Sequence, residues 1–145
     1  MTTEDQSEIV NFLASPSTHD GLTVERIDTH TAIVFLVGTR AYKLKRAVRF
    51  DYLDFSTLER RRAFCDAEVR LNRRTAPALY RGVLPVSRQD NGMLALGGSG
   101  TVVEWLVEMH RFDQELLLDR MAAAGELELE LMFRLATAID RKSVV

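Results

Sequence analysis

The stretch RAYKLKRAV, residues 40–48, sets two lysines into a segment that otherwise reads as a β-strand. Side chains on a strand alternate between faces, so Lys43 and Lys45 share one face and Tyr42 and Leu44 the other. Two neighbouring ammonium groups have two uses. They form a solvated outer face, or one of them meets an anion such as a phosphate. A second unusual group lies in the helix expected over 57–75. There Glu68 falls inside the apolar arc between Phe64 and Leu71, with Arg61 and Asn72 beside it. A lone carboxylate facing a core is costly unless it is paired or protonated. Arg61, two turns away, reaches it poorly; a lysine from a neighbouring strand is the better partner. Escape to water at the edge of the arc is the other reading.

These residues need elements to hold them. TAIVFLVG (31–38) is an apolar run closed by a glycine, and it pairs with LTVERIDTH (22–30) as a hairpin across His30. A tight turn at Gly38-Thr39 leads into the lysine strand. Ser56 with Glu59 forms a capping box that starts the helix, and Pro77 ends it. GVLPVSRQDNGMLALGG gives two strands joined at Asn91-Gly92. TVVEWLVEMHRF is another strand, with Trp105 and Val107 on one face. A short amphipathic helix is expected at 7–14, with Ile9, Phe12 and Leu13 on one side, and SPSTHDG after it is a loop. Two further helices are expected beyond Asp113, the second carrying Leu127, Leu131 and Leu135. This order predicts an α+β fold with an antiparallel sheet.

The chain has 145 residues, 46% of them hydrophobic, which is one domain's worth with enough apolar material for a core. Its net charge is −2, which argues against a nucleic-acid or membrane-surface binder. Charge is uneven: residues 40–74 hold eleven basic and five acidic groups. Most of that basic cluster belongs to the solvated face of the helix. Cys65 is the only cysteine, and His19, His30 and His110 have no metal-ligand spacing. The acidic, polar start and the lack of a bilayer-length apolar run lead to the expectation of a cytoplasmic protein.

A strand lysine followed by a helix with an inward glutamate is the arrangement protein kinases use to hold a phosphate. VFLVGTRAYKLKRAVRFDYLDFSTLERRRAFCDAEVRLNRRTAPALYRGVLPV more narrowly resembles the amino-terminal lobe of bacterial aminoglycoside phosphotransferase-like proteins. It is most similar to the group often fused to a P-loop ATP-binding kinase domain, and VVEWLVEMHRFDQELLLDRM fits that group too. The resemblance implies a kinase-like N-lobe over 22–112, after an N-terminal segment 1–21. The first helices of an incomplete C-lobe would follow over 113–145. It implies Lys43 as the phosphate lysine, with Lys45 as the alternative, and Glu68 as its partner. Backbone groups around Glu108 and Met109 would meet the adenine edge of ATP, and Val34, Leu36 and Ala41 would line the base pocket.

Three departures accompany the resemblance. ERIDTHTAIVF has no glycine-rich phosphate loop, and GGSG (97–100) lacks the Lys and Ser/Thr of a P-loop. No HxD-x4-N or DFG-like segment occurs, so no catalytic residue is expected in this chain, and Mg2+ ligands are expected in a missing lobe. LATAIDRKSVV breaks off inside a helix. A truncated, catalytically incomplete phosphotransferase lobe is therefore expected, binding a nucleotide, with its small-molecule acceptor unassigned. It would self-associate through exposed C-terminal helices. A non-catalytic half-kinase binding module and an unrelated α+β domain are the alternatives.

Overall fold

The computed structural model describes residues 4–111. Its fold is α+β: an antiparallel sheet of six strands with one helix on each face. The strands are β1 (Val24–Asp28), β2 (Ala32–Val37), β3 (Arg40–Lys45), β6 (Tyr80–Arg88), β7 (Leu94–Leu96) and β8 (Thr101–His110). A small separate hairpin, β4 (Arg49–Phe50) and β5 (Leu53–Asp54), lies between β3 and the long helix. The sheet order is β1-β2-β3-β8-β6-β7, so β8 returns to run between β3 and β6.

All six residues of β2 are buried, because the strand is covered on both faces. On one side Ile33, Phe35 and Val37 pack with Tyr42, Leu44 and with Ile9 and Leu13 of α1 (Ser7–Ala14). On the other side Val34, Leu36 and Ala41 pack with Cys65 and Val69 of α2 (Leu58–Asn72). The expected N-terminal segment thus contributes to the core of the sheet. Phe12, expected on the buried side of α1, is only partly buried. The expected loop at SPSTHDG contains a 3-10 turn, Pro16–His19, and His19 is buried against Tyr42 with its Nε2 on the Leu13 carbonyl.

Turn chemistry explains the strand ends. Thr29 closes the β1–β2 turn by exchanging hydrogen bonds with Ala32. Gly38 turns β2 into β3 at φ +55°, a conformation that favours glycine. Asn91 Oδ1 accepts from the Met93 amide in the turn between β6 and β7.

Helix α2 departs from the sequence expectation in two ways. Its N-cap is Thr57, not Ser56: Thr57 is extended and its Oγ1 accepts from the Arg60 amide, while the Ser56 amide bonds Asp54 Oδ1. Its roll also differs. Phe64 and Leu71, expected to face the core, are exposed, and the buried side carries Arg61, Cys65, Glu68 and Val69. Ion pairs hold Arg61 and Glu68 inward, so an arc drawn through the apolar residues points about a quarter-turn away from the sheet. No helix among the described residues is long and apolar enough to cross a membrane. The helices expected beyond Asp113 lie outside the described residues.

Candidate functional site: a carboxylate between two strand lysines

Alternation along β3 directs Lys43 and Lys45 to the face covered by α2, and the turn at Gly38 fixes that register. Glu68 comes down from α2 between them. Lys43 Nζ donates to Glu68 Oε2 at 3.0 Å, and Lys45 Nζ donates to Glu68 Oε1 at 2.5 Å. All three side chains are less than a tenth exposed. The solvated-face reading of the lysines is therefore replaced by a buried trio, and so is the edge-of-arc reading of Glu68. The Lys45 ammonium also lies over the Phe55 ring, 5.1 Å from its centroid.

Burial acts to raise the Glu68 pKa, but the two ammonium groups outweigh it, Lys43 before Lys45, and hold the carboxyl at about 2. Glu68 is therefore held as the carboxylate across the physiological range. Beside it, burial pushes the Cys65 thiol up to about 12.

Arg61, the other candidate partner of Glu68, is engaged elsewhere. Its Nε donates to Glu104 Oε1 at 2.9 Å, and the two side chains are 1% and 2% exposed. Sequence reasoning missed Glu104. The available signal was an acidic residue set between Val103 and Trp105 inside the apolar run VVEWLV. Trp105 packs beside the core, with the Arg62 guanidinium 4.5 Å from its ring centroid.

Glu108 and Met109 do not join the trio. Their backbone, expected around an adenine edge, lies where β8 pairs on both sides. Glu108 stands opposite Tyr42 and Gly82, and Met109 opposite Ala41 and Tyr80. The Glu108 carboxylate faces Arg40 and Arg81, at 3.8 Å and 3.3 Å, and the Met109 side chain is in the core. The first residue past the strand is Arg111, whose amide donates to the Thr39 carbonyl. Val34, Leu36 and Ala41, expected to line the base pocket, are fully buried beneath α2. His110, expected at the surface, takes a hydrogen bond from Arg40 on its Nδ1. A cleft of about 450 Å³ runs between α2 and β6, lined by Asp66, Val69, Arg70, Arg73, Gly82 and Val83, and does not include the trio. Among the described residues, no group of three His, Cys, Asp or Glu side chains is arranged to hold a metal.

Over 98 residues, 68% of the chain, the sequence is 38% identical to an uncharacterized protein of Mycobacterium bovis. It matches uncharacterized proteins of Mycobacterium tuberculosis to the same extent. The matched region spans 18% of the length of these relatives. No family model matches the chain, and no solved structure matches it.

Proposed function

We propose that this chain contributes the nucleotide-binding lobe of an ATP-dependent small-molecule phosphotransferase with a kinase-like fold, similar to the aminoglycoside phosphotransferases. One observation carries the reading: the 3.0 Å contact between Lys43 on β3 and Glu68 on the helix that follows. In protein kinases the phosphate-binding lysine also stands on the third strand and pairs with a glutamate of the next helix. The glutamate fixes an otherwise flexible ammonium, so that it meets the nucleotide phosphates in one position.

ATP supplies the transferable phosphoryl group and Mg2+ neutralises charge on its oxygens. The described residues fit a role on the phosphate side, through the Lys43 ammonium. They do not fit as a Mg2+ cage, since no carboxylate cluster is present among them. Catalytic groups and the acceptor site are assigned to chain outside residues 4–111.

A second reading has its own support. Lys45 makes the shorter contact, and the whole trio is buried, as a cross-link between β3 and α2 would be. Calorimetric titration of Mg-ATP into the wild type, Lys43→Ala and Lys45→Ala separates the two. The phosphotransferase reading expects Lys43→Ala to weaken binding by at least about tenfold, with the fold retained by circular dichroism. Equal affinity in all three proteins, or no binding at all, would leave the trio as a structural cross-link.

A further inference from the structure

Gln6 occupies the N-cap position of α1 but its side chain does not cap the helix. It crosses to the sheet instead. Its Nε2 donates to the Lys45 carbonyl at 3.1 Å and to Glu104 Oε2 at 2.9 Å, and its Oε1 accepts from the Ala47 amide at 2.8 Å. The other Glu104 oxygen accepts from Arg61 Nε. Arg61 then donates through Nη1 to the Phe55 carbonyl and through Nη2 to Glu4 Oε2, at 2.9 Å and 2.8 Å. Arg61 and Glu68 lie on one buried stripe of α2, two turns apart. The contacts therefore close a ring: Glu68 to Lys45, along the Lys45 backbone to Gln6, through Glu104 to Arg61, and along α2 back to Glu68.

A buried arginine with partners on three separate segments fixes how α2 is rolled and how far along the sheet it sits. Glu68 shares that stripe, so any roll or slide of α2 carries its carboxylate away from the lysines. A displacement of about 1 Å at such a site is enough to cost function. The same Gln6 side chain grips the backbone on both sides of Arg46, where β3 ends.

We propose that the segment Glu4–Gln6 is a positioning latch, in which Gln6 and Arg61, through Glu104, hold α2 and the end of β3 so that Glu68 spans Lys43 and Lys45. The value of this latch to phosphate binding rests on the function proposed above; the latch itself does not.

The test uses the full chain with Gln6→Ala and, as a volume-keeping control, Gln6→Met. Lysine acylation under native conditions is followed by mass spectrometry at Lys43 and Lys45, with a free lysine peptide normalising the reagent. Amide exchange in β2, whose residues are all buried, reports global opening. Both variants are expected to raise acylation of the two lysines several-fold while β2 exchange stays at the wild-type rate. Unchanged acylation would overturn the latch, and so would an increase matched by faster β2 exchange, which would make Gln6 a general stabiliser. Mg-ATP titration runs in parallel. If the wild type binds no Mg-ATP, the phosphotransferase reading falls, while acylation still decides the latch.

Discussion

Lys45 and Glu68, 23 residues apart in the chain, meet at 2.5 Å inside the layer between β3 and α2, and Lys43 reaches the same carboxylate. The sharing makes the trio asymmetric. Removing either lysine leaves Glu68 with the other. Removing Glu68 leaves two ammonium groups side by side next to Cys65. Glu68→Ala is expected to cost about 3–5 kcal/mol, the range for breaking a buried pair, and each lysine-to-alanine change less. Urea unfolding of the three variants measures this. A Glu68→Ala loss no larger than that of Lys45→Ala would contradict the arrangement.

The sign of the acid response follows from the same contacts. Glu68 titrates at about 2 in the folded chain, against an ordinary value of 4.5. Its folded pKa is depressed, so its stabilisation is fully present above pH 4.5 and is lost as pH falls from there toward 2. The stability gap between wild type and Glu68→Gln should narrow across that window, by on the order of 3 kcal/mol in total. Urea midpoints collected at successive pH values check it. A gap that stays constant on acidification would show that Glu68 is not held ionised by the lysines.

Cys65 offers a single-site reporter of α2. It is fully buried, and its thiol is pushed up to about 12 by that burial. Alkylation near neutral pH should be slower than for a free thiol by at least about 100-fold, and should speed up as urea opens the fold. Rapid alkylation of the native chain would mean that α2 is not seated as described.

The start of α2 depends on Thr57, whose Oγ1 accepts from the Arg60 amide at 3.2 Å. Thr57→Ala should cost about 1 kcal/mol by loss of this cap, while Thr57→Ser should be nearly neutral. Thermal or urea melts distinguish the two. An equal loss in both would mean that the methyl group, not the hydroxyl, matters.

The readable parts of the chain were those set by short-range rules. Alternation placed both lysines on one face, and Asn91-Gly92 marked the β6–β7 turn. The α2 helix itself was legible, although its cap is Thr57 rather than Ser56 and it ends at Asn72 rather than 75. Its roll was not, because Arg61 and Glu68 are buried by partners on distant strands while Phe64 and Leu71 are exposed. Apolar periodicity is blind to charges whose partners lie elsewhere in the chain. Gln6 was invisible for the same reason, with contacts 39 and 98 residues away. The placement of β8 between β3 and β6, which engages the backbone of Glu108 and Met109, also follows from pairing across long separations.

The central claim is that the Lys43 ammonium meets a nucleotide phosphate, and the chain has only three lysines, Lys43, Lys45 and Lys142. Nitrogen-15 lysine labelling therefore gives a spectrum of three Nζ signals, assigned by single substitutions. Titration with Mg-ATP should move the Lys43 signal to saturation and disturb Lys45 less. A Lys43 signal that stays fixed through millimolar Mg-ATP would contradict the account.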